Sequence, residues 1–163
     1  MKTVICPGSF DPITNGHLNI IERSSALFDN VIVAVLYNPA KQNFCFSPEE
    51  RAELIRRCTK HLPNVKVEVD SGLLAEFARR HDAVAVVKGL RAMSDFEYEF
   101  QQAQLNKKLN NNLETIFITT KSENTYLSSS VVKQICELGG DISDFVPEEV
   151  RDDIVKRIKR GVN

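Results

Sequence analysis

An open, doubly wound parallel α/β sheet is the fold class that this 163-residue sequence predicts, and two observations carry the prediction. Short apolar runs of strand length alternate along the chain with longer runs of helical apolar spacing. The runs at 30–38 and 83–89 are almost continuously apolar and β-branched, as strands covered on both faces require. Joined by right-handed crossovers, such β-α repeats build one parallel five-stranded sheet with helices on both faces and a helix at the C-terminal end.

The elements follow in order. "KTVIC" (2–6) reads as a buried strand, "PGSFDPITNGH" (7–17) as the turn leaving it, and "HLNIIERSSALF" (17–28) as a helix. Thr14 or Asn15 can cap that helix, and His17 projects from its first turn. After the strand at 30–38, Ser47, Pro48 and Glu50 predict a capping box with proline at the first helical position, opening a helix over 47–62. A strand over 64–69 and a helix over 72–81 come next, then the strand at 83–89 with Lys88 near its end. A helix over 94–109 with Ser94 as its possible cap, a polar loop within 106–114, and a strand over 114–120 complete the sheet. A helix over 128–138 is stopped by Gly139 and Gly140. The last helix, 146–161, carries acids first and cations last, as its dipole favours.

Composition bounds the function. At this length one domain spanning 1–163 is expected, burying roughly 70% of the surface of its unfolded chain. A net charge of −1 argues against a dedicated nucleic-acid binder, and the "KRIKR" of the last helix reads as a solvated face. No apolar run approaches ~20 residues and no signal-peptide pattern opens the chain, so no membrane partner and a cytoplasmic location are expected. Cys6, Cys45, Cys58 and Cys136 lack zinc-type spacing and read as reduced thiols, with Cys45 in a polar region as the candidate for reactivity.

In a sheet of this kind the ligand crevice lies beyond the carboxyl ends of the strands, at the point where strand order reverses. Neither GxGxxG nor GxxxxGK[ST] is present, so simple dinucleotide binding and P-loop hydrolysis both lose ground. The first turn instead offers glycines for close backbone approach, a helix N-terminus for an anion, and His17. His61 and His81 fall in the last turns of predicted helices, where a structural role suffices.

"TNGH" (14–17) matches the T/HxGH signature of the nucleotidylyltransferase superfamily. With "KGLRAMSDFEYE" (88–99) and "LSSSVVK" (127–133), in that order over nearly the whole length, the chain resembles the bacterial phosphopantetheine adenylyltransferases. The resemblance implies the Rossmann-like strand order 3-2-1-4-5 and transfer of an adenylyl group from ATP to 4'-phosphopantetheine. Because the acceptor phosphate is itself the nucleophile, the protein need only position it and supply positive charge.

By the same resemblance His17 contacts the ATP phosphates, Ser9 stands where relatives often carry threonine and orients the acceptor phosphate, and Lys41 is directed at the phosphates. Lys88 faces His17 across the crevice toward the acceptor; many relatives have arginine there, so the charge is kept and the bidentate fork lost. Phe10, Gly89, Leu90, Arg91 and Glu99 match the ATP-contacting positions, and residues 124–130 (Asn124, Thr125, Tyr126, Leu127, Ser128, Ser129, Ser130) match the segment that wraps the nucleotide. Leu73 and Leu74 match the lining of the pantetheine arm, although alone they read as core leucines. Asp95 and Glu99 share a helix face and have an alternative role as ion partners of Arg91. Tyr98 is equally explicable as packing.

No protein metal cluster is visible. Mg2+ is expected with the ATP phosphates, since it keeps its waters and seldom needs a protein cage. The resemblance also implies a homohexamer and feedback binding of coenzyme A. Competing readings are a cytidylyltransferase or a nicotinamide-mononucleotide adenylyltransferase on the same scaffold, a non-catalytic nucleotide sensor, and an RNA-acting protein. The 88–99 segment favours the pantetheine group over the first two.

Overall fold

The structure, a computed structural model, describes residues 1–37 and 43–160. In chain order the elements are β1 (Thr3–Gly8), α1 (Asn15–Leu27), β2 (Asn30–Leu36), α2 (Pro48–Cys58), β3 (Val65–Asp70) and α3 (Leu74–Arg80). They continue as β4 (Ala85–Leu90), α4 (Met93–Leu109), β5 (Glu114–Thr119), a 3₁₀ turn (Ser122–Asn124), α5 (Ser129–Glu137) and α6 (Glu148–Arg160). All pairings are parallel and the strand order is β3-β2-β1-β4-β5, as the resemblance implies.

Period-2 alternation divides each central strand between two cores. Val4, Cys6, Val31, Val33, Val35, Ala85 and Val87 point to the larger core, under α1, α2, α5 and α6. Ile5, Ile32, Ala34 and Val86 point to the smaller one, with Phe77 and Ala78 of α3 and Leu113. The outer strands β3 and β5 are only half covered, because they lie at the edges of the sheet.

The helix starts explain themselves locally. Ser47 accepts the Glu50 N–H at 3.2 Å and Glu50 accepts the Ser47 N–H at 2.8 Å, the reciprocal box with Pro48 inside it. At the end of α5, Gly139 adopts φ +82; its N–H bonds the Cys136 carbonyl and that of Gly140 the Ile135 carbonyl, a Schellman stop that favours glycine. Two expectations are corrected. α4 begins at Met93 with Ala92 in the cap position, two residues ahead of the Ser94 expected to cap it. It runs to Leu109, as expected, so the polar loop read over 106–114 shrinks to 110–113; Lys107 pairs with Glu114 of β5 and the Asn110 N–H closes on the Asn106 carbonyl.

Candidate active site

β1 and β4 share two register pairs, Val4 with Ala85 and Ile5 with Val86, whereas β1 and β2 share six. The sheet therefore parts between the carboxyl ends of β1 and β4, at the reversal of strand order, and the turn after β1 lines the gap.

That turn is packed inward over most of its length: Phe10, Asp11, Pro12, Ile13 and Thr14 are buried. Phe10 has φ +50, a conformation that costs a bulky L-residue about 1–3 kcal/mol and needs surrounding structure to hold it. Its ring supplies that hold. It lies edge-on to the His17 ring with centroids 5.1 Å apart, and 3.0 Å from where a Cβ on Gly8 would stand, so glycine at position 8 makes room for it.

Thr14 is the N-cap of α1 and His17 its third residue. The Thr14 hydroxyl accepts the His17 N–H at 3.3 Å, and His17 Nδ1 accepts the Thr14 N–H at 3.1 Å. Histidine thus fills the place of Glu or Gln in a capping box. A backbone N–H can only donate, so Nδ1 presents its lone pair and the ring proton sits on Nε2. With Nδ1 accepting, Nε2–H is the ring's donor. The α1 start is also tied to the chain before α6, through the Asn15 N–H to the Phe145 carbonyl and Asn15 Nδ2 to the Asp144 carbonyl, each 2.9 Å.

At the end of β4, Lys88 lies in the strand with Gly89 and Leu90. Lys88 Nζ is 3.1 Å from Glu99 Oε2 of α4, a half-buried ion pair that brings together two residues expected at different ends of the ligands. Arg91 pairs with Asp95, Nε to Oδ2 at 3.1 Å, and donates through Nη1 to the Leu127 carbonyl at 2.9 Å. Of the two acids on that helix face, Asp95 takes Arg91 and Glu99 takes Lys88.

The 124–130 segment divides by role. Asn124 and Leu127 are buried, and Ser128 caps α5 by accepting the Val131 N–H at 3.2 Å. Ser129 donates to the Pro12 carbonyl at 2.7 Å, joining the α5 start to the β1–α1 turn, while Thr125, Tyr126 and Ser130 are exposed. Asn124 and Tyr126 line a polar cavity of about 400 Å³ with Asn15, Asn19, Glu22 and Asp144, whose described lining includes neither Ser9 nor His17. The carboxyl ends of β1 and β4, where the gap opens, are the better-founded site. Leu73 is the N-cap of α3 and 60% exposed, so it is no core leucine, whereas Leu74 packs partly into the smaller core. Lys41 lies outside the described residues.

Sequence reading missed the residues that hold this site together. Buried Asp11 accepts the N–H groups of Cys45 and Phe46 at 2.9 and 3.0 Å and pairs with Lys133 at 3.1 Å. Arg51, 1% exposed, donates to the Ser9 carbonyl at 2.6 Å. Arg51 left one signal: it stands on the same helical face as Ile55 and Cys58, an odd place for a charge. The Cys45 thiol is pushed up from its ordinary range by burial and by the Asp11 charge, which counts against the reactivity considered for it. His61 lies beyond the end of α2 and pairs with Glu22, and His81 caps α3 and pairs with Glu68, so both have structural roles.

A parallel sheet parted at its switch point, with a helix N-terminus at the gap, fits the nucleotidylyltransferase class that the TNGH motif resembles. The cytidylyltransferase-like family model matches residues 5–135. Two curated relatives, the phosphopantetheine adenylyltransferases of Caldanaerobacter subterraneus subsp. tengcongensis and Clostridium kluyveri, are 52% and 54% identical over 161 residues. Each alignment covers 99% of this chain, and 100% and 98% of the respective relative. A solved structure from Vibrio parahaemolyticus, described as a nicotinate-nucleotide adenylyltransferase, superposes with a TM-score of 0.66 at 19% identity over 96% of both chains and shares the fold. The chain belongs to the phosphopantetheine adenylyltransferase family.

Proposed function

We propose that the gap between β1 and β4 is where this chain transfers the adenylyl group of ATP to 4'-phosphopantetheine. The products are dephospho-coenzyme A and pyrophosphate, and the reaction is the penultimate step of coenzyme A biosynthesis. An oxygen of the acceptor phosphate attacks the α-phosphorus in line, the bond from that phosphorus to the α–β bridging oxygen breaks, and pyrophosphate leaves. The observation that carries the reading is the His17 capping box, which leaves Nε2–H as a donor for charge growing on the phosphates.

In this reading Ser9 and Lys88 orient the acceptor phosphate, and Leu73 and Leu74 line its pantetheine arm. Arg91, Glu99, Phe10, the Gly89–Leu90 backbone and the 124–130 segment hold ATP, with Ser129 and Ser130 nearest the triphosphate. Lys41 joins them on the strength of the sequence resemblance. Mg2+ arrives on ATP as part of the substrate, since it keeps its waters and binds through the phosphates.

The chain is one domain acting in the cytoplasm; among the described residues no helix is long and apolar enough to cross a membrane. It assembles as a homohexamer. The apolar surface on α4 and β5, where Met93, Tyr98, Phe100, Leu105 and Ile116 are exposed, supports the assembly. Coenzyme A, which shares the pantetheine arm, binds the same site as a feedback ligand. Pyrophosphate release tests the reading: turnover is expected with Mg2+-ATP and 4'-phosphopantetheine, and none with CTP and glycerol phosphate or with ATP and nicotinamide mononucleotide. Turnover only in either of the latter mixtures overturns the substrate, and silence in all three favours a non-catalytic nucleotide sensor.

A further inference from the structure

Beneath the β1–α1 turn lie three charged side chains that the proposed reaction does not use. Asp11 on the turn is 4% exposed, Arg51 on α2 is 1% exposed, and Lys133 on α5 reaches in from the partly exposed side. The Asp11 carboxylate is fully engaged: it takes the N–H groups of Cys45 and Phe46 and the Lys133 ammonium. Among the described residues no carboxylate lies within ion-pair distance of Arg51. Its guanidinium donates to the carbonyls of Ser9 at 2.6 Å and Ser47 at 3.3 Å, and stacks over the Phe44 ring at 4.4 Å.

Two cations therefore face one carboxylate, and one positive charge is left uncompensated in a buried place directly behind Ser9. The other acids near α2 do not cancel it. Glu50 is engaged by Arg157, and Glu49 is exposed, where solvent screens it. Burial pulls the Arg51 pKa down while Asp11 and Glu49 push it back, and a guanidinium stays charged throughout. A buried, unpaired cation is costly to keep unless an anion completes it.

We propose that Arg51, set against Asp11 and Lys133, is a positioning residue that acts through Ser9 and lends the turn a net positive charge selecting the dianionic phosphate of the acceptor. This rests on the reading that Ser9 faces the acceptor phosphate. The neutral hydrogen bonds that Arg51 makes would be served by any donor of the right shape. The charge behind them is what distinguishes a phosphorylated arm from an unphosphorylated one, and it acts over several ångströms.

The test compares 4'-phosphopantetheine as substrate with pantetheine, which lacks the phosphate, as a competitive inhibitor. Arg51→Gln is expected to raise KM for 4'-phosphopantetheine about tenfold while leaving the pantetheine inhibition constant unchanged, and Arg51→Lys is expected to restore most of the loss. Lys133→Gln, on the partly exposed side of the cluster, removes the second cation and is expected to give the same selective rise even if Arg51→Gln does not fold. Equal shifts for both ligands, no rescue by lysine, or an unmoved KM in Lys133→Gln overturns the proposal. Ser9→Ala run in parallel separates the two levels. If it leaves KM for 4'-phosphopantetheine unmoved, the reading of the turn fails; if it raises KM while the Arg51 and Lys133 variants do not, only the charge proposal fails.

Discussion

The two ring nitrogens of His17 face different demands. Nδ1 closes the α1 capping box on Thr14, and that closure decides which nitrogen carries the proton. Glutamine in place of histidine separates these demands, because it is an ordinary third residue of a capping box yet puts no imidazole donor at the gap. His17→Gln is expected to leave thermal stability nearly unchanged and to lower kcat by about 10²-fold or more, with KM for ATP changed far less. Steady-state kinetics beside a melting curve check it, and an unchanged kcat removes His17 from the reaction. The sequence left Thr14 and Asn15 as equal cap candidates; the structure selects Thr14, since its hydroxyl meets the His17 N–H while the Asn15 side chain turns to Asp144. That choice depends on residues 129 positions further along, and so was invisible to local pattern.

Among the elements, α2 shows how far local signals reach. Its cap was legible because Ser47, Pro48 and Glu50 act within one turn. The long-range use of that cap was not. Arg157 of α6 clasps Glu50, donating through Nη1 to Oε2 at 3.1 Å, and also donates to the Cys45 carbonyl at 2.9 Å while lying over the Phe46 ring at 4.8 Å. The Arg157 hydrogen bond, then the Ser47 N–H, hold the Glu50 carboxyl down at about 2. Since the unfolded glutamate titrates higher, the unfolded chain takes up the proton first as pH falls. The contribution is complete above about pH 4.5 and is lost as pH drops through about 2. Urea midpoints at pH 7 and pH 3 should therefore fall further for the unmodified chain than for Glu50→Gln. An equal fall would show that the clasp contributes nothing to acid stability.

For the molecule as a whole, the layer plan was readable because each strand and helix carries its own period, and a parallel order with right-handed crossovers leaves few topologies. The charged contacts between layers were unreadable for the opposite reason: Asp11 and Lys133 are 122 residues apart and share no pattern. The edge strand β5 is only half covered, and with α4 it presents an apolar face. Phe96 and Phe100 stack at 5.6 Å between centroids, and Phe117 of β5 lies 6.1 Å from Phe96. Leu105 on the same helix is half exposed, so Leu105→Glu is expected to leave the monomer folded while weakening self-association. Sedimentation velocity at micromolar concentration reads the outcome, and an unaltered sedimentation coefficient removes this face from any self-association.

The α1 cap also sets a trap for protein engineering. A stability-guided redesign would score position 17 by how well it closes the Thr14 box, and would rank glutamate above the natural histidine. In the proposed reaction the same exchange would put a negative charge beside the anionic phosphates. At this one position, heat resistance and turnover pull selection in opposite directions, so a library screened for hardiness alone would drift toward a well-folded but inactive protein.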